Sequence, residues 1–164
     1  MLQTPYEILV TKPAVFKREY HFLKDEKIFG TITAAKSFRP EIVSKSGDEE
    51  WKLTQNGWWR PSFQYVGSHR PYAKGKFRPE WNGRLDFVTS DGSKYTLKKV
   101  KWYLASTIWY KDDKPILRIN PIHSFNNKRA AISVYVPGDP NIWLLISIAW
   151  HLYLINKRQA TAAA

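Results

Sequence analysis

At 164 residues the chain has the size of one domain, long enough to bury about 70% of the surface its unfolded form would expose. Hydrophobic residues make up 43% and aromatics 15%, which excludes a disordered, collagen-like or long coiled-coil chain. The absence of Cys excludes a disulfide framework, a Cys-based zinc site, an iron–sulfur cluster and a thiol nucleophile.

The 26 Lys+Arg against 14 Asp+Glu give a formal charge of +12, spread unevenly. Residues 1–50 hold eight of each sign, whereas Trp51 to Lys111 carry twelve cations against Glu80, Asp86 and Asp91. A field of one sign concentrates counter-charge, so the asymmetry points to an anionic partner, a lipid headgroup surface or nucleic acid. The plainer reading is a basic protein whose charge serves solubility.

In chain order, Met1–Val10 contains Pro5 and Glu7 and lacks the apolar run of a signal peptide. No Gly at position 2 and no terminal Cys offers a lipid anchor, so the expected location is cytoplasmic, peripheral at the inner membrane surface if lipid is the partner. Turn signals then recur at Lys24-Asp25-Glu26-Lys27, Ser46-Gly47-Asp48-Glu49, Asn56-Gly57, Gly67-Ser68, Asn82-Gly83, Ser90-Asp91-Gly92-Ser93 and Lys111-Asp112-Asp113-Lys114. Runs rich in β-branched and aromatic residues lie between them: Tyr20–Leu23, Ile28–Ala34, Glu41–Ser44, Trp51–Thr54, Ser62–Val66, Arg84–Thr89, Lys94–Val100, Ser106–Tyr110, Ile116–Asn120 and Ala131–Val136. Asn82-Gly83 and Asp91-Gly92 are hairpin dipeptides, tolerant of the positive φ of tight primed turns. Ten short strands at fairly even spacing predict an antiparallel barrel or sandwich, not alternating βαβ units.

The last segment departs from this pattern. Asp139 is placed as an N-cap and Pro140 as the first helical residue. A helix over about 140–156 follows, closing on Lys157 and Arg158, with 159–164 read as a flexible tail. Ile142–Ile155 is apolar on all sides, so the helix must be enclosed by protein or by a bilayer. Fourteen residues reach roughly 21 Å, short of a hydrocarbon layer of about 30 Å. The buried core is therefore preferred over a short tail anchor.

A meander of antiparallel strands closed around one C-terminal hydrophobic helix resembles the tubby-like barrel family, in its small LURP-one-related and scramblase-like members. The carriers are the strand–turn–strand units Phe22–Thr33, Glu41–Thr54 and Leu85–Val100, the Ser37-Phe38-Arg39-Pro40 connector and Asp139–Arg158. The resemblance covers nearly the whole chain and implies a single domain, 1–158, whose helix threads the barrel. It implies an anionic-lipid surface only in general terms. The Pro-rich arm, the acylated cysteine cluster and the acidic calcium segment of scramblases are absent, and no segment aligns with the phosphoinositide-binding residues of tubby proteins.

The candidate anion-binding residues are Lys74, Lys76, Arg78, Lys98, Lys99 and Lys101. Lys74, Lys76 and Arg78 alternate along a strand and so share one face, and Lys98, Lys99 and Lys101 extend that stripe if the two strands pair. The competing structural reading is a lysine-protected edge strand. Among the eight Trp, the Trp58-Trp59 pair is the best candidate for exposure; the rest are assigned to the core. His21, His69, His123 and His151 have no ligand-like spacing, so no metal or cofactor is expected, and His151 reads as a neutral core histidine. Asp48-Glu49-Glu50 and Asp112-Asp113 sit in turns, unlike the facing carboxyls of glycosidases. No nucleophile-elbow, phosphate-loop or dinucleotide motif occurs, so no catalytic residue is named.

The leading expectation is a non-enzymatic module that binds anionic phospholipid through its basic surface. The alternatives are a nucleic-acid binder that stacks bases on exposed aromatics, a hydrophobic-ligand carrier with the helix outside the barrel, and a structural or accessory factor with no small ligand.

Overall fold

The computed structural model describes residues 4–14, 17–34, 41–56, 62–67, 76–79, 84–89, 92–100, 105–123 and 126–163. Among these residues there are twelve strands: β1 Tyr6–Thr11, β2 Glu19–Lys24, β3 Lys27–Ala34, β4 Glu41–Ser46, β5 Glu49–Asn56, β6 Ser62–Gly67, β7 Lys76–Pro79, β8 Leu85–Val88, β9 Lys94–Lys99, β10 Thr107–Lys111, β11 Lys114–Pro121 and β12 Lys128–Val134. One helix, α1, spans Ile142–Ala163. The ten expected strands are all there, with boundaries moved by up to three residues.

Two strands add to them. In β1, Ile8 and Val10 point inward while Glu7 and Leu9 point outward, a period-2 pattern bracketed by Pro5 and Pro13. The short β7 has only four residues, and its two cations and terminal Pro hide its character.

All strands join one antiparallel sheet in the order β6-β5-β4-β3-β2-β1-β12-β11-β10-β9-β8-β7. Each strand pairs with its sequence neighbour except at β1–β12, which ties the two halves of the meander, and at β6–β7. Among the described residues no ladder joins β6 to β7, although their Cα atoms come within 8 Å. The expected closed barrel is therefore, as observed, a curled sheet whose ladder stays open at one seam.

Two hairpins turn through pairs of positive-φ residues, Asp25 (50°) with Glu26 (65°) and Asp112 (51°) with Asp113 (61°). These are the dihedral signs of a type I′ turn, whose twist matches that of the flanking strands. Gly47 (φ 56°) and Gly92 (φ 89°) serve the β4–β5 and β8–β9 connections.

The curl encloses α1. Its first ten residues, Ile142–His151, are all buried, as an all-round apolar helix demands. Strands far apart in the sheet order reach it. Phe22 on β2 packs edge-on to Trp143 and Trp150 at 5.2 and 5.8 Å, and the Trp109 indole N–H of β10 donates to the Leu145 carbonyl at 2.8 Å. Ser44 on β4 bonds the Ser147 hydroxyl, which also donates to the Trp143 carbonyl at 2.7 Å. Gly30 makes room for this helix, since a Cβ there would lie 2.5 Å from the Trp143 ring and 2.8 Å from the Lys45 carbonyl. With the interior filled by α1, the ligand-carrier arrangement of an external helix is not the one observed.

Both helix boundaries differ from expectation. Regular helix starts at Ile142, where the Leu145 N–H bonds the Asn141 carbonyl at 2.9 Å. The Asp139 carboxylate accepts the Asn141 N–H at 2.8 Å and so caps the turn leading into the helix, three residues before Ile142. At the other end α1 continues through 159–163, expected as a tail, because Ala160, Ala162 and Ala163 favour helix and no Gly or Pro interrupts.

Candidate anion-binding surface

The predicted stripe is not brought together as one ladder. Lys74 and Lys101 lie outside the described residues, as do the side chains of Lys76 and Arg78, whose backbone belongs to β7. β8 separates β7 from β9, with Arg78 opposite Asp86 and Asp86 opposite Thr96. Asp86 is held there by Arg84 Nε at 3.2 Å and the Thr96 hydroxyl at 3.0 Å. Those hydrogen bonds bring its carboxyl below the usual range despite the opposing effect of burial, so a fixed negative charge interrupts the row. Lys98 and Lys99 are both exposed, but adjacent strand residues point to opposite faces. Lys98 places its ammonium 5.2 Å from the Tyr110 ring centroid.

Cations gather elsewhere for a topological reason. Because every pairing is antiparallel, the connections fall alternately at two ends of the sheet. The tight turns at 25–26, 47–48 and 112–113 share one end, the hairpin end, where α1 begins. The 12–18 and 122–127 connections share the other, the mouth, toward which α1 runs.

At the mouth, Lys12 follows β1, Arg18 precedes β2, Arg129 stands at the start of β12 and Lys157 comes from α1. A β-bulge helps to aim Arg129: Val10 is opposite Ala130 and Thr11 opposite Lys128, so Arg129 has no cross-strand partner on β1. Its Nη1 donates to the carbonyls of Asn126 (2.6 Å) and Lys128 (3.1 Å). Burial, then the like charges of Arg129, Lys157 and Arg18, push the Lys12 ammonium below its usual range. Among the described residues the charges that act on Lys12 are cationic, an arrangement that favours the approach of an anion.

Tyrosines complete the mouth. The Lys12 ammonium lies 5.8 Å from the Tyr20 ring, and that of Lys157 lies 6.0 Å from Tyr153. Trp150 stands behind both rings, 5.2 Å from Tyr20 and 4.9 Å from Tyr153. Burial raises the pKa of both phenols against the lowering pull of Arg129, so both remain neutral donors at physiological pH.

The hairpin end has a mixed character. Asp25, Glu26, Asp48, Asp112 and Asp113 are exposed on its tips, together with Lys27 and Lys114. Asp139, its side chain only 3% exposed, accepts the Tyr95 hydroxyl at 3.1 Å and has Lys111 Nζ at 3.9 Å. Asn141 Nδ2 donates to the same Tyr95 hydroxyl at 2.9 Å. This closed network anchors the start of α1. Exposed large apolar side chains, Ile28, Val88, Tyr135 and Val136, occur at this end at separate places in the strand order.

Trp51, Trp109, Trp143 and Trp150 are buried, and the Trp58-Trp59 pair lies outside the described residues. His21 bonds Glu19 at 2.9 Å, and His151 is buried, its imidazole pushed down to about 4 by desolvation. Among the described residues no group of three or more His, Asp or Glu could hold a metal ion, and no helix is long and apolar enough to cross a membrane.

Sequence reasoning missed the mouth because its cations are scattered at 12, 18, 129 and 157, two of them in the half whose charges cancel. The one available signal was indirect: acids cluster in the predicted turns while those cations do not. No protein-family model, no curated protein and no solved structure matches the chain.

Proposed function

We propose that this protein is a non-enzymatic binding module, a tubby-like barrel built around its C-terminal helix, that associates peripherally with anionic phospholipid headgroups at the cytoplasmic face of a membrane. One observation carries the reading: the Lys12, Arg18, Arg129 and Lys157 charges gather at one end, where the other three act to lower the pKa of the Lys12 ammonium, while most of the turn carboxylates lie at the other. Each such cation near an anionic leaflet contributes about 1 kcal/mol of attraction, which salt screens. The tubby-like assignment is supported by the single antiparallel meander and by a helix buried all round within its curl.

Sedimentation with neutral and anionic liposomes at low and high salt, with oligonucleotide competitors alongside, tests the function. Pelleting with anionic liposomes alone, weakened by salt, is the expected result. Binding to the oligonucleotide in preference to lipid transfers the basic end to nucleic acid, and binding to neither rejects the proposal.

A further inference from the structure

We infer that the module docks end-on, with its mouth and the emerging end of α1 against the headgroups and its hairpin tips pointing away from the membrane. The inference rests on the lipid-surface reading above and adds an orientation and a penetrating element to it.

The separation of charge supplies the orientation. Cations predominate at the mouth, whereas at the hairpin tips the exposed Asp25, Glu26, Asp48, Asp112 and Asp113 outnumber the exposed Lys27 and Lys114, which gives the molecule a charge moment along α1, so an anionic plane attracts the mouth more strongly than the tips. The helix supplies the contact. Enclosure of α1 ends near Ile155: Leu152, Tyr153 and Leu154 are half-buried, whereas Asn156 and Lys157 are exposed. The helix runs on to Ala163, about 12 Å past Ile155. No Asp or Glu occurs in the sequence after Asp139, and Lys157 and Arg158 are followed by Gln159 and then by Ala and Thr. A helix end with cationic and no acidic side chains enters a headgroup layer without burying an acidic side chain. Tyr20 and Tyr153 supply amphipathic rings at the same level, the residue type that settles at membrane–water interfaces.

The lack of Cys makes the test direct, because a single introduced thiol is a unique labelling site. Full-length N156C and D48C proteins, both substituted at exposed positions, are labelled with an environment-sensitive fluorophore. They are mixed with phosphatidylcholine vesicles with and without phosphatidylserine, and pelleting and emission are read on the same samples. A blue shift and intensity gain for the Asn156 probe on phosphatidylserine vesicles, with the Asp48 probe unchanged, is expected. Pelleting with a silent Asn156 probe, or with a responding Asp48 probe, overturns the end-on pose while leaving lipid binding intact. No pelleting of either protein or of the unlabelled chain overturns both. Neutralising the mouth with K12Q/R129Q lowers vesicle partitioning roughly thirtyfold if both charges face the membrane, and an unchanged value for the folded variant rejects the pose independently.

Discussion

The two ends of α1 solve the same problem in opposite ways. At the hairpin end a nearly buried carboxylate, Asp139, is surrounded by a hydroxyl, a backbone N–H and an ammonium, so its charge is answered within the protein. At the mouth the Lys12 ammonium is flanked by three further cations that push it the wrong way. A carboxylate answered by three donors anchors the fold, whereas an ammonium beside like charges favours the approach of an anion.

The largest effect should come from the packing that supports the mouth from within. Trp150 is fully buried against Phe22, Tyr20 and Tyr153. Trp150→Ala should cost about 3–5 kcal/mol in urea unfolding and disorder the tyrosines that frame the cations.

Acid should act next, through His151. Its folded pKa is about 4, whereas the unfolded chain takes up the proton near the ordinary value of about 6.5. The unfolded state therefore binds more protons in that window, and the contribution of a neutral His151 is complete above it and lost as pH falls through it. The expected loss is about 3 kcal/mol between the two pKa values. Urea midpoints across that range should show a slope that His151→Leu flattens; an unchanged slope assigns the acid sensitivity to other groups.

Breaking the hairpin end should separate stability from binding. Tyr95→Phe removes the hydroxyl that donates to Asp139 and accepts from Asn141. It should cost about 1–3 kcal/mol and leave the vesicle affinity of the folded protein unchanged, read by calorimetry and by sedimentation. Lys111→Met should be the mildest change, below about 1 kcal/mol, since a long ion pair on a partly exposed side chain is weakened by solvent.

The sequence makes the fold legible where period and punctuation coincide. The Lys24–Lys27 and Lys111–Lys114 turns mark hairpins, and the uniform apolarity of Ile142–Ile155 requires an enclosed helix. It is mute about Gly30, whose role is to admit Trp143 from a helix more than a hundred residues later. Charge misleads for a similar reason. Counting along the chain makes residues 1–50 neutral and sends attention to the Lys74–Lys101 region, yet antiparallel pairing sorts that neutral stretch unevenly: Glu7, Asp25, Glu26, Asp48, Glu49 and Glu50 outnumber Lys24, Lys27 and Lys45 at the hairpin end, while Lys12, Lys17 and Arg18 outnumber Glu19 and Glu41 at the mouth. Linear net charge cannot register a separation that only strand direction creates.

Two variants with the same change in net charge isolate the central claim. K17E/R18E reverses exposed cations of the mouth, and K27E/K114E reverses exposed cations of the hairpin end. The measurement is the partitioning of each folded protein onto phosphatidylserine vesicles at fixed salt. Loss of binding in K17E/R18E with near wild-type binding in K27E/K114E is predicted. Equal losses in the two would contradict the account, leaving total charge, and not its placement, as what the vesicle senses.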